Sequence, residues 1–219
     1  MHRSKLTAGF ILIFLFMGAS AWSQGPAARR EKPAAIANGN NVNHDKVTAL
    51  RPPMGAKVAI VVFEDLQCPD CARAAPLLEE VSKAEKIPLV RHDFPLPKHD
   101  FSFQAAVIAR YFDTKSKKLG DGWRDYVFAH QPGITPENLN KHAQDYAKAN
   151  NEAMPFLLDP GGKLAAKVKA DFALGQKIGI QHTPTIFVVS ARKKGEPFVE
   201  VVDRSQLTAL VDNMKKSAQ

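Results

Sequence analysis

The chain has 219 residues, 30 Lys and Arg against 22 Asp and Glu, a formal net charge of +8, and two cysteines. The basic residues are scattered and no nucleic-acid-binding motif accompanies them, so the charge favours anionic surfaces in general and argues against a nucleic-acid partner. Without a second Cys-x-x-Cys or a closely spaced histidine pair, the two cysteines do not make a four-ligand zinc site.

Residues 1–23 read as a secretory signal. His2, Arg3 and Lys5 precede an apolar run, residues 10–17, and small residues follow at Gly18, Ala19, Ser20 and Ala21. Cleavage is expected after Ala21 or Ser23. The apolar run is short for a bilayer span, which disfavours the rival reading as an uncleaved anchor. Loss of this segment removes Arg3 and Lys5 and no acid, so the mature chain stays basic. Residues 24–56 are rich in Ala, Pro, Asn and charge and lack apolar periodicity. They read as a flexible leader, with a short edge strand near residues 46–50. One compact domain is expected over residues 57–217, long enough for a single buried core.

Residues 57–63 are apolar and β-branched without interruption, as in a central strand buried on both faces. Residues 71–86 read as a helix with apolar Ala74, Ala75, Leu77, Leu78 and Val81, and with Pro76 inside it. Residues 87–94 form the next strand, which suggests a parallel β–α–β unit. Residues 98–178 look helical. Phe101, Ala105, Ile108, Ala109 and Phe112 fall at helical spacing, and Thr135-Pro136 suits an N-cap followed by proline. Leu164, Val168, Phe172 and Ile178 mark a last helix that Gly179 can end. Strands are expected at 185–189 and 197–202, joined by a basic turn at 192–195. Leu207, Leu210, Val211 and Met214 mark a final helix.

The two cysteines stand in Cys68-Pro69-Asp70-Cys71, between the first strand and its helix. A bridge across two intervening residues restrains almost no chain, so its spacing favours redox exchange over a structural staple. At a helix start, unpaired N–H groups and the dipole stabilise a thiolate on the first sulfur. A Cys-x-x-Cys can also be half of a metal site, with His182 as a third ligand.

Residues 58–63, the segment Glu64-Asp65-Leu66-Gln67-Cys68-Pro69-Asp70-Cys71 and the segment 179–187 around His182-Thr183-Pro184 together closely resemble the DsbA-like family of exported thiol–disulfide oxidoreductases. The resemblance spans roughly residues 57–217. It implies an α/β thioredoxin fold, a central sheet flanked by helices, with a helical insertion at about 98–178. It implies that Cys68 is the exposed attacking sulfur and Cys71 the buried resolving one. Pro184 matches the family's cis-proline, and Thr183 would offer its backbone to a substrate strand beside Cys68.

The chain departs from the family pattern in three places. The position six residues before the first cysteine, where members often carry glutamate, is Val62. Glu64 lies on the same strand face and can substitute, or face water as a strand-end acid. The position before the second cysteine is Asp70, where strongly oxidising members have histidine. A carboxylate there disfavours the Cys68 thiolate and opposes the dipole. The residue before the proline is threonine, which leaves the direction of electron flow open. A cationic His182 near Cys68 would offset Asp70, whereas a surface histidine has no role; His92 and His99 read as structural or exposed.

The expected function is therefore an exported, periplasmic thiol–disulfide oxidoreductase. It would form disulfides in cysteine-containing exported proteins through the Cys68–Cys71 pair, with Pro69, Asp70, Glu64 and His182 modulating the site. The redox-active disulfide itself serves in place of a cofactor, a membrane partner reoxidises it, and the chain acts as a monomer. Phe101, Phe103, Tyr111 and Phe112 are candidates for an apolar substrate groove on the insertion. The alternatives are a reductase or isomerase of the same fold, or a metal chaperone using Cys68, Cys71 and His182.

Overall fold

Strand β1 (Val58–Glu64) is buried at all seven positions, as its unbroken apolar run over residues 58–63 requires of the first six. The structure is a computed structural model that describes residue 46, residues 49–191 and residues 197–218, all within one compact unit. The signal segment, residues 24–45 and the basic turn at 192–195 lie outside the described residues. Helix α1 (Pro69–Glu85) follows β1, and strand β2 (Leu89–Asp93) returns parallel to it, pairing Val62 with Arg91 and Glu64 with Asp93. Strand β3 (Thr185–Ser190) pairs antiparallel with β1 on its other side, and β4 (Phe198–Glu200) pairs antiparallel with β3. The sheet order is β2-β1-β3-β4.

Strand alternation divides the sheet's faces. Val58, Ile60 and Val62 pack with Ala74, Leu78 and Val81 of α1 and with Leu207, Val211 and Met214 of the last helix, α6 (Leu207–Ser217). Ala59, Val61 and Phe63 point the other way, with Phe94, Ile178, Phe187 and Val189. Between β2 and β3 lie α2 (Ser102–Lys115), α3 (Lys117–His130), α4 (Leu139–Ala149) and α5 (Lys163–Lys177). Their shared core holds Phe112, Trp123 and Tyr146, and the Trp123 indole N–H donates to the Ala105 carbonyl at 3.0 Å. Cys68, Cys71 and Ala75 belong to this same cluster, so the sulfurs sit where the insertion meets the sheet unit.

Two glycines are structurally required. Gly179 takes φ +79° after α5, as expected of a helix terminator. A Cβ on Gly175 would lie 2.5 Å from two ring carbons of Phe94, so α5 approaches β2 only because a side chain is missing there.

Three local expectations change. Near residues 46–50 there is a helical turn, not an edge strand: Lys46 and Ala49 are helical and the Leu50 N–H donates to the Lys46 carbonyl at 2.8 Å. Leu50 is fully buried with Val61, Phe63 and Phe187. Burial of that side chain decides the local conformation, and Pro52 and Pro53 next to it offer no N–H to a ladder. Thr135 does not cap α4; it opens a turn closed by Asn138, and the helix begins at Leu139. The Thr135 carbonyl accepts from the N–H groups of Asn138 (3.2 Å) and Leu139 (3.0 Å), so residues 136–138 form a turn ahead of the helix. Helix α1 begins at Pro69, two residues earlier than its apolar stripe indicates, because proline suits the first helical position. Among the described residues no helix is long and apolar enough to cross a membrane.

Candidate active site

Cys68 is the N-cap of α1 (φ −77°, ψ 119°) and has no side-chain cap of its own. Its N–H donates to the Asp65 carbonyl at 3.0 Å and its carbonyl accepts from the Ala72 N–H at 3.2 Å. From the insertion, the Gln131 side-chain amide donates to the carbonyls of Leu66 (2.7 Å) and Cys68 (3.2 Å). The Thr183–Pro184 peptide is cis, and the Cys68 Sγ lies 3.4 Å from the Thr183 carbonyl oxygen. The proline loop, 115 residues away in sequence, thus lies against the Cys68 sulfur. Pro184 itself is half-buried and Pro69 is exposed.

The two sulfurs are not bonded to each other. Cys71 is 2% exposed and Cys68 8%. Cys68 is therefore the more accessible of the two but is largely covered, contrary to the expectation of an exposed thiol; the Thr183 backbone leaning over it is the reason. The Cys68 pKa falls from 9.0 to about 5. The hydrogen bond from the Cys71 thiol is the main cause. Burial opposes it, and the Thr183 side chain and the N–H groups of Cys71 and Asp70 reinforce it. Burial pushes the Cys71 thiol well above its ordinary range, and the Cys68 and Glu64 charges add to that; the Asp65 N–H, 3.4 Å from Cys71 Sγ, acts against it.

The modulating residues fall out differently from their sequence reading. Asp70 is not an isolated carboxylate. Its Oδ1 accepts from Arg204 at 2.9 Å and from Arg73 at 3.1 Å. Burial pushes this carboxyl up, but the two guanidiniums win and hold it below the usual range. Glu64 does not face water. It is 3% exposed, 3.4 Å from the Arg91 guanidinium and 3.9 Å from that of Arg124. Arg91 also binds Glu79 at 2.8 Å and Asp125 at 3.3 Å, and Arg124 grips both oxygens of Asp113. Glu64 is thus anchored in a buried ionic network under the sheet's end. His182 is exposed, and its ring makes no hydrogen bond or ion pair among the described residues. His92 stacks on Phe63 and pairs with Asp171, and His99 pairs with Asp65 at 2.7 Å; both are structural.

Sequence reading missed Asp65, Gln131 and Arg204. Asp65 is 1% exposed and its carboxylate accepts four hydrogen bonds: Gln67 N–H (2.7 Å), Ser102 hydroxyl (2.6 Å), Leu96 N–H (2.6 Å) and His99 (2.7 Å). It ties the cysteine loop to the segment after β2 and to the start of α2. An acid in the loop before the cysteines was a visible signal for it; Gln131 and Arg204 arrive from distant segments and carried none. Of the groove candidates, Phe101 and Phe112 are core, while Phe103 and Tyr111 are half-buried. Phe103 lines a cleft of about 350 Å³ with Leu96, His99 and Phe172. Among the described residues no three His, Cys, Asp or Glu side chains form a group able to hold a metal ion.

This site, at the head of the first helix and facing a cis-proline loop, sits in a thioredoxin fold with a helical insertion. A family model described as Thioredoxin matches residues 54–213, and the chain belongs to that family. It is 29% identical over 153 residues to disulfide bond formation protein D of Bacillus subtilis, over 61% of this chain and 64% of that protein. It is 26% identical over 164 residues to the Na(+)/H(+) antiporter NhaA 3 of Salinispora tropica, over 73% of this chain but 24% of the antiporter. The chain thus spans less than two thirds of either curated relative's length. Among solved structures, alpha-DsbA1 of Wolbachia pipientis matches with a TM-score of 0.62 at 18% identity, over 77% of this chain and 91% of that one. ScsC of Proteus mirabilis in a compact conformation matches at 0.59 and 21%, over 74% and 85%. These likenesses establish the DsbA-like fold.

Proposed function

We propose that the chain is an exported thiol–disulfide oxidoreductase that oxidises cysteine pairs in other exported proteins. The observation that carries this reading is the unequal treatment of the two sulfurs. Cys68 is held as a thiolate, with a pKa of about 5, while Cys71 beside it stays protonated and covered. Stabilising a thiolate stabilises the reduced pair, which raises the reduction potential and favours the oxidant direction.

In that direction the pair begins as a Cys68–Cys71 disulfide. A client thiolate attacks Cys68 Sγ, the more accessible sulfur. A client–Cys68 bond forms, the Cys68–Cys71 bond breaks, and Cys71 leaves with the electron pair and takes up a proton. A second client thiolate then attacks the client sulfur of the mixed disulfide and expels Cys68 as its stable thiolate. Two electrons have passed from client to enzyme, and a membrane redox partner returns them to the oxidising pool. The Thr183 backbone at the edge of the site would pair with an extended client segment. No dissociable cofactor takes part in these steps, and a single chain suffices for them.

The sequence signal at residues 1–23 supports export to the periplasm, and one structural neighbour is described as a periplasmic thioredoxin-like protein from Salmonella enterica. Equilibrium titration of the pair against glutathione tests the oxidant reading, which requires a potential above that of the glutathione couple. Thiol trapping in cells gives a second check. A pair found mostly reduced would replace the oxidant by a reductase or isomerase kept reduced by a membrane donor.

A further inference from the structure

Asp70 occupies the second position of α1, next to the resolving cysteine. A carboxylate at this position works against an anionic sulfur on Cys68 unless a cation offsets it. The structure supplies such a cation from the far end of the chain. After β4 the backbone makes a short 3-10 turn, Arg204–Gln206, whose start is fixed by the Asp203 carboxylate accepting the Ser205 N–H at 2.9 Å. Fully buried Leu207 anchors its other end. From this fixed base Arg204 reaches across 134 positions of sequence and binds Asp70 twice. One guanidinium nitrogen donates to the carboxylate at 2.9 Å and the other to the backbone carbonyl at 3.4 Å.

Both contacts bear on Cys68. With Arg73 at 3.1 Å, the carboxylate meets two cations, so its own negative charge is more than offset. The Asp70 carbonyl belongs to the same peptide group as the Cys71 N–H, one of the donors to the Cys68 sulfur. A cation on the carbonyl orients that peptide and strengthens the polarity of its N–H. Arg73 is 68% exposed on the same helix, whereas Arg204 is 36% exposed and held from a separate element. Solvent weakens the first contact more than the second.

We propose that Arg204 is a positioning residue of the exchange site, which cancels the Asp70 carboxylate and aims the Asp70–Cys71 peptide at the Cys68 sulfur. The ionisable groups that bear on the attacking sulfur and its dipeptide are then Cys71, Asp70, Arg73 and Arg204, with Glu64 acting on Cys71 from beneath. The proposal rests on the exchange reading but has a readout that needs no client.

The experiment titrates Cys68 in the reduced full domain, by thiolate absorbance and by the pH dependence of iodoacetamide alkylation. It compares wild type, R204Q, R204K, D70N and the R204Q/D70N double variant, each checked for folding by circular dichroism. R204Q should raise the Cys68 midpoint by about 0.5–1 pH unit, with a roughly three- to tenfold shift of the glutathione equilibrium toward the disulfide. R204K should retain most of the wild-type value, and adding D70N to R204Q should restore most of it. A merely structural arginine would not be rescued by removing its partner's charge. An unmoved midpoint in R204Q, or a double variant that titrates like R204Q, overturns the proposal while leaving the exchange reading intact. An ordinary thiol midpoint in the wild type would defeat both.

Discussion

The backbone N–H of Asp65 points at the Sγ of Cys71, 3.4 Å away and six residues along the chain. The same residue's carbonyl accepts the Cys68 N–H at 3.0 Å, and its carboxylate takes four further hydrogen bonds. Asp65 therefore meets both cysteines through its backbone while its side chain fixes where that backbone lies. The N–H is a donor already in place for the negative charge that Cys71 carries when it leaves. Everything else near Cys71 opposes that charge: burial first, then Cys68 and Glu64.

Asp65→Asn should loosen this arrangement. Both carboxylate oxygens act as acceptors, and an amide nitrogen cannot accept from N–H groups. At least one buried donor, the Leu96 N–H or His99 on one oxygen or the Gln67 N–H on the other, is left unpaired. The expected loss is about 2–4 kcal/mol, read as a lower urea midpoint at constant slope. Unchanged stability would show that the hub is not needed to hold the loop.

Reduced and oxidised protein should respond differently to pH. The folded Cys68 pKa is depressed from 9.0 to about 5, so between those values the folded state binds fewer protons than the unfolded chain. Its contribution to stability is complete near pH 9 and is lost as the pH falls through about 5. Cys71 has the opposite shift and weakens the reduced form once unfolded thiols ionise. The reduced protein should therefore gain on the oxidised one as pH rises from 5 to 9, where thermal melts of the two forms can be compared. Parallel curves would contradict the thiolate assignment.

Cys71→Ala removes the principal hydrogen bond to the Cys68 sulfur along with the resolving thiol. The Cys68 midpoint should rise above about 5. Mixed disulfides with clients should also accumulate, whereas Cys68→Ser should form none. Non-reducing gels of exported proteins, with alkylation at harvest, distinguish the two. Adducts from Cys68→Ser but not from Cys71→Ala would reverse the assigned order of attack.

Gly175→Ala tests the fit of the insertion on the sheet. Its new methyl would lie 2.5 Å from the Phe94 ring and 3.2 Å from that of Phe63. Both rings are buried, so the helix or the rings must shift, at about 1–3 kcal/mol. The glutathione equilibrium should change little, because the clash is away from the sulfurs. A variant as stable as wild type would mean that α5 can move freely against β2.

Much of the architecture was legible because it depends on local pattern. Six uninterrupted apolar residues, 58–63, can only be satisfied by burial on both faces. Pro69 at the first helical position and Gly179 after α5 mark helix ends through backbone sterics that act within one or two residues. The edge strand expected near residues 46–50 failed because Leu50 is claimed by Val61, Phe63 and Phe187, partners that the local composition does not reveal. Thr135 does not cap α4 because a turn over residues 136–138 intervenes before the helix begins at Leu139.

The sequence by itself determined the chemistry: one pair of sulfurs at a helix start, and a Thr-Pro that belongs beside them. Tertiary structure decided their electrostatics. Asp70 looked like an uncompensated penalty until Arg204 arrived from 134 residues away, and Glu64 looked free until Arg91 and Arg124 enclosed it. His182, adjacent to the critical proline in sequence, is exposed, and its ring makes no hydrogen bond or ion pair among the described residues. The reason is physical: thiol spacing and backbone caps are set within a few bonds, whereas the field at a sulfur sums over whichever charges folding brings within a few ångströms.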